Sequence, residues 1–473
     1  ITGDAGLTVT NSGSISAGNR GINTSGNHSF ATSITNQSGG SITGAIGIFL
    51  GNAGTGTNTL DLQQGSTTGL IFSAAGGTTT TTVAGTLTGD YTVIGGAGAN
   101  NFTLASTGSM QGATFGSAAD TFTFNGGTIN GVVNAGSGTD TFNSVLGAGN
   151  SGSVSLSNLT GFENYNHLSG TLTLSGSRAS GPGWNVTSGA SVTLSGSLNV
   201  TSGTGTAFSI NGNTSGTVFE VLASGSITGF GGLFFNGGPS ATLNNAGSIS
   251  VTGVAVQTNG STAITNSGTL ASSGSFAVFT GVTVASLINS GTVSGGMNSF
   301  GVSSQFRAMT ITNQAGGFIT GGNGAILGGS SGQGGLLTIS NASGAGISGP
   351  TAISTVGLAG LSLTNSGQVV GSTDAINATG TGAVTITNNV GGVIATGTLA
   401  SASATFTAGG TGSAIVTSGS ATVINNGTLY GNAYGFFTTG SSSALTLTNR
   451  GMITSGNLGD AVAAVGTASG LNS

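Results

Sequence analysis

Short runs of alternating apolar and polar residues recur along this chain, each closing on a cluster of Asn, Ser and Gly. The stretch Ile264-Thr265-Asn266-Ser267-Gly268-Thr269-Leu270 shows the unit. A period of two predicts strands, and no stretch carries the 3.6-residue period of a helix. Ile264 and Leu270 are predicted to face inward from two strands. Asn266, Ser267 and Gly268 form the corner between them, with Gly free to take positive φ. The same unit places Asn at positions 11, 36, 245, 266, 289, 313, 341, 365, 388, 425 and 449. From Asn245 onward the spacing runs from 21 to 28 residues, with one interval of 37. That long interval predicts a lateral loop near Thr398 to Gly412.

Recurrence at this spacing turns a hairpin-like unit into one coil of a solenoid. Strands of successive coils then pair in parallel about 4.8 Å apart. Dividing length by period predicts an all-β, parallel β-helix of roughly 20 coils, on the order of 95 Å long. Inward Ile, Leu, Val and Phe stack on like residues. The corner residues Asn11, Asn36, Asn245, Asn266, Asn289, Asn313, Asn341, Asn365, Asn388, Asn425 and Asn449 stack as an amide ladder.

The whole chain, 1–473, reads as one continuous β-helix with internal variation. Asn-Ser-Gly coils fill 1–60 and return over 231–473. Residues 61–145 carry a second motif, fullest as Gly136-Ser137-Gly138-Thr139-Asp140-Thr141-Phe142. Copies begin at Gly116 and Gly96, and a looser one at Gly54. The strict 20-residue spacing of the last three copies predicts an interior ladder of Phe102, Phe122 and Phe142. Residues 146–230 break the rhythm. There Gly161-Phe162-Glu163 precedes Gly170-Thr171-Leu172-Thr173-Leu174-Ser175-Gly176, and 178–184 reads as an irregular loop or bulge.

Composition narrows the partners more than the fold. Gly contributes 95 residues and Pro only 3, which excludes a collagen helix. Hydrophobic residues make up 36% and charged residues 3%, opposite to a disordered chain. The basic set is Arg20, Arg178, Arg307 and Arg450, too sparse for nucleic acid or an anionic membrane. No run is long and apolar enough for a membrane helix, so no membrane insertion by this segment is expected. Without Cys there are no disulfides, zinc-thiolate sites or Cys nucleophiles. No signal peptide is visible at Ile1-Thr2-Gly3-Asp4, as expected of a mature or trimmed segment.

The motifs Thr265 to Leu270, Gly136 to Phe142, Gly161 to Glu163 and Gly170 to Gly176 together resemble passenger domains of Gram-negative autotransporters. The resemblance covers essentially the whole chain. It implies a right-handed parallel β-helix at the outer membrane surface or released from it. Two departures stand out: no carboxy-terminal membrane barrel follows, and more than half of the chain lies after the Gly-Phe-Glu element. Both put the export route in question and fit part of a longer protein.

Candidate chemistry is sparse. The Gly-x-Gly-x-Asp copies match calcium nonapeptides in outline, but one carboxylate per 20 residues cannot build that roll. Asp120 and Asp140 are the weak metal candidates, and each is expected to bond its own corner turn. Glu163 and His167, four residues apart, read as a coil-edge Glu and a surface His rather than an acid–base pair. The nine acids (Asp4, Asp61, Asp90, Asp120, Asp140, Glu163, Glu220, Asp374 and Asp460) are too dispersed for a glycosidase or lyase groove. No Gly-Asp-Ser-Gly protease motif or phosphate loop occurs. The run Thr78 to Thr82 and the Thr-x-Thr pieces suggest ice-binding solenoids, but the Thr are expected on several faces and at corners.

The expected function is non-enzymatic and cofactor-free: an extracellular structural or adhesive surface rod, self-associating into filaments or a layer. Self-association would run head-to-tail or laterally, since no charged or helical cap is visible at either terminus. Alternatives are a monomeric passenger adhesin for host cells or glycans, a metal- or ice-binding module, and a disfavoured polysaccharide-processing β-helix.

Overall fold

The computed structural model describes all residues except 4–5, 27–29, 53, 95–97, 188, 202–204, 212–215, 238–239, 282–284, 331–333, 441–443, 457–458, 466 and 473. The chain is nearly all β, a parallel β-solenoid of about 18 turns. Among the described residues the one helical element is a 3-10 turn at Leu156–Asn158. The turn number falls below the expected 20 because some residues leave the coil. In 399–413, for example, Gly397 and Thr398 pair antiparallel with Ala408 and Thr407. This loop folds back on the stack, where Gln368 Nε2 donates to Ala404 O at 2.7 Å.

Contacts divide the chain into two compact units, Ile1–Gly203 and Thr204–Ser473. In the first, each coil holds three short strands, as in Thr32–Asn36, Ser41–Thr43 and Ile46–Asn52. Each strand pairs in parallel with its equivalent one coil on. The start of the Gly96-Ala97 copy lies outside the described residues, but Phe102, Phe122 and Phe142 stack as expected. Their ring centroids are 5.3 and 5.8 Å apart, with planes within 8° and 11°. Tyr165 and Trp184 extend the column, and all five rings are buried. Arg178 lies over the Tyr165 ring at 4.3 Å and donates to Pro182 O, so the 178–184 loop wraps a buried cation–π contact.

The second unit keeps its register over a long array. Leu243, Ile264, Leu287, Ile311, Ile339, Leu363, Ile386, Val423 and Leu447 pair successively as one inward column. Ile264 and Leu270 are both buried, as their alternation predicts.

The corner Gly differs from expectation in its reason. Gly268 does not take positive φ. A Cβ there would overlap the carbonyl oxygen of Gly247 in the preceding coil, and one at Gly291 would overlap that of Gly268. The corner needs Gly because two backbones touch, not because the chain turns left-handed.

Candidate functional site

Two hydrogen-bonded ladders and an outward face on each unit carry what polar chemistry this fold organises. In the second unit each corner Asn donates from Nδ2 to Oδ1 of the Asn one coil on. The bonds run from Asn245 through Asn266, Asn289, Asn313, Asn341, Asn365, Asn388 and Asn425 to Asn449, at 2.7–2.9 Å. In the first unit Asn11 and Asn36 make the same bond at 2.9 Å. There the ladder ends, because Leu62 stands opposite Asn36. Most of these amides also donate to nearby backbone carbonyls, as Asn313 does to Gly317 O and Gly346 O. An amide bonded on both sides in this way is a structural element; Asn245 Oδ1, at the start of the array, is buried with no hydrogen-bond partner among the described residues.

The second ladder is acidic. Asp120 Oδ1 accepts from Asn100 N at 2.7 Å and from Asn100 Nδ2 at 2.9 Å. Asp140 Oδ1 accepts from Asp120 N at 2.7 Å, and Glu163 Oε2 from Asp140 N at 2.7 Å. Each side chain therefore caps the backbone of the preceding coil. Asp120 keeps the expected bond within its own turn, from the Gly116 backbone, in addition to its bonds across coils. For Asp140 the expectation is corrected, since its bond runs to the backbone of residue 120. It also explains Gly161-Phe162-Glu163: the longer Glu side chain continues the Asp column where the coil rhythm changes. Both Asp are buried, and their Oδ2 atoms have no hydrogen-bond partner among the described residues. Burial pushes the Asp120 carboxyl above its ordinary value. It lifts Asp140 to about 6, with the nearby Asp120 and Glu163 charges adding to the rise.

His167 is buried rather than on the surface. Its Nε2 lies 3.0 Å from Gly170 O and 2.9 Å from Ser191 O, which fixes Nε2–H as the donor. Burial lowers its pKa and favours the neutral ring. Glu163 is exposed and accepts from Asp140 N, while His167 Nε2 bonds Gly170 O and Ser191 O, so the two are engaged with different partners rather than with each other. Among the described residues no three His, Asp or Glu cluster as a metal site. Asp4 lies outside the described residues. Asp61 accepts from Gln63 Nε2, and Asp374 accepts from Asn377 Nδ2 and Ser413 N.

The outward face of one sheet is more ordered than the expectation of Thr on several faces and at corners. On the Asn-bearing sheet of the second unit, residues flanking the inward Ile or Leu point out in two ranks. The first begins with Thr242, Ala263 and Ser286, the second with Asn244, Thr265 and Ile288. Over the six coils that follow, the first runs Thr310, Thr338, Ser362, Thr385, Thr422 and Thr446; the second runs Thr312, Ser340, Thr364, Thr387, Ile424 and Thr448. No register shift interrupts them. All are at least partly exposed, and none of their hydroxyls bonds another described residue. Thr do occupy several faces, as expected, with Thr269, Thr292 and Thr428 on another sheet, but this subset aligns in register on one face. The signal was present as Thr-Ile-Thr-Asn and its variants, in which the Thr phase is locked to the corner Asn.

A similar double rank occupies the first unit, where Thr59, Thr80, Asn101, Thr121 and Thr141 align beside Asp61, Thr82, Thr103, Thr123 and Asn143. In the run Thr78 to Thr82, only Thr80 and Thr82 belong to this face; Thr79 and Thr81 are buried.

Comparison with protein-family models, with curated proteins and with solved structures returns no match.

Proposed function

We propose that this chain is an extracellular structural and adhesive surface protein that acts through extended faces rather than through a cleft. The observation that carries the reading is the double rank of uncommitted hydroxyls held in register by the Asn ladder beneath it. A face of this kind offers many equivalent weak contacts, and their sum gives avidity without any single strong site. With charged residues at 3% and a net charge of −5, little electrostatic repulsion opposes contact between copies. We therefore assign self-association into filaments or a surface layer. Export to a Gram-negative cell surface, as the autotransporter-like motifs imply, is the setting in which such a face would act.

Electron microscopy of the protein in its native setting, with light scattering of the purified chain, tests this. Filaments or a coat, and mass rising with concentration, are expected. A chain that stays monomeric at high concentration and leaves surfaces bare would overturn it.

A second reading, a monomeric adhesin for neutral glycans, has one observation in its favour. Phe230 is half exposed beside an open cavity of about 240 Å³ that Gln257, Ser275 and Thr206 also line. An aromatic ring flanked by amide and hydroxyl groups suits a sugar face. Loss of glycan-array binding on Phe230→Ala, with self-association unchanged, would select it.

A further inference from the structure

We infer that the outward double rank of the second unit binds ice. The inference rests on the adhesive reading above and names the surface that is bound.

Ice differs from a protein or glycan partner in being a rigid lattice of hydrogen-bonding positions, so its receptor must itself be a lattice. The two ranks form one. Adjacent coils place equivalent side chains about 4.8 Å apart, and the two ranks on one strand lie about 6.6 Å apart. The register that fixes the first spacing is unbroken from Thr310 to Thr446. Thr is stiff at χ1, so its hydroxyl and methyl hold one arrangement on a strand. Each Thr thus presents a donor–acceptor group beside a methyl group that organises the water next to it.

Three observations separate this face from an ordinary polar sheet. Its hydroxyls make no bonds within the protein, whereas Thr elsewhere are often committed to backbone carbonyls: Thr252, Thr258 and Thr381 all donate to them. The twelve positions of the two ranks from Thr310 to Thr448 carry no charge, so no tightly hydrated group disturbs ordered water. They carry no aromatic ring either, which removes the stacking surface a crystalline polysaccharide would use. From Thr310 to Thr448 only Ile424 interrupts the hydroxyls, and it keeps a methyl group at that lattice point; Ala263, Asn244 and Ile288 interrupt the same ranks in the coils before.

Rigidity has its own source. The Asn ladder runs directly beside the face, from Asn313 through Asn449, and ties each strand to the next. The entropy of ordering the array is thereby met in folding, before any ice is present.

The test uses the full chain in a slowly growing ice hemisphere, with thermal hysteresis measured on the same preparation. The wild type is expected to enter the ice and to hold crystals below their melting point. Thr364→Tyr and Thr387→Tyr, in the middle of the second rank, should abolish both effects while circular dichroism and the melting temperature stay unchanged. Thr80→Tyr, on the first unit's face with its interrupting Asp61, should keep most of the effect. Exclusion of the wild type from ice, like an inert control, would overturn the inference. Retention of full hysteresis by the two central variants would also overturn it, because the face would then not be the contact. Ice exclusion together with persistent filaments or surface coats would sink the ice reading and leave the adhesive one standing. Ice binding by a chain that never self-associates would do the reverse for the filament reading.

Discussion

Substituting Asn313 by Ala removes one rung from the middle of the amide ladder. Asn313 Oδ1 accepts from Asn289 Nδ2 at 2.9 Å. Its own Nδ2 donates to Asn341 Oδ1 at 2.9 Å, to Gly346 O at 3.1 Å and to Gly317 O at 3.2 Å. All three Asn are buried, so water cannot replace what is lost. Asn289 keeps one partner, Gly291 O at 3.0 Å, so its donor loss is partial. Asn341 Oδ1 loses its bond from Asn313. One or two buried groups left unsatisfied, at about 1–3 kcal/mol each, put the cost at about 3 kcal/mol.

The neighbour on the same strand supplies the control. Thr312 points outward with an uncommitted hydroxyl, so Thr312→Ala should stay within about 0.5 kcal/mol of wild type. Urea unfolding with slopes compared, together with hydrogen exchange of the coil amides, would read both. In the double variant Asn289→Ala/Asn313→Ala the orphaned donor is gone, so the combined loss should fall short of the sum by more than about 0.5 kcal/mol. If Asn313→Ala costs no more than Thr312→Ala, or if the pair is additive, the ladder does not hold the stack.

The remaining predictions concern the corner, the acidic column and the aromatic core. Gly268→Ala should destabilise by more than the ~1 kcal/mol typical of a point variant, because the new Cβ meets the Gly247 carbonyl; a neutral result in thermal melts would refute the backbone contact. Asp140 has a folded pKa of about 6, above the value near 3.9 expected unfolded, so its contribution is fully present below the unfolded value and is lost as pH rises through about 6. Asp140→Asn should therefore flatten the stability profile between pH 4 and pH 7, and be more stable than wild type at pH 8 by on the order of 1–3 kcal/mol, since its Oδ1 still caps Asp120 N; an unchanged slope would contradict this. Phe122→Ala, between two stacked rings, should cost about 3–5 kcal/mol in denaturant unfolding. Calcium should leave the melting temperature unchanged, and a rise abolished in Asp120→Asn/Asp140→Asn would instead make the acidic column a metal site.

Much of this molecule is written in its repeat. Alternation fixes which residues of Ile264–Leu270 face inward, and the recurring Asn fixes coil length, because each rung must fall opposite the last. The interior Phe column follows for the same reason: identical spacing places identical residues one coil apart. These are local rules repeated, and a period read from the sequence is enough to state them.

Other features depend on what lies one coil away, which spacing alone does not assign. Asp140 bonds the backbone of residue 120 and Glu163 that of residue 140, so two motifs with different lettering are one column. His167 is buried because a strand alternation that includes Tyr165 carries it inward, a phase hidden by the irregular segment before it. Gly268 is required by contact with Gly247, which only the stacking of two coils reveals. The outward Thr make the same point. In sequence they are ordinary strand residues with high β propensity; registered parallel pairing turns them into a two-dimensional array of hydroxyls, a property that no single coil possesses.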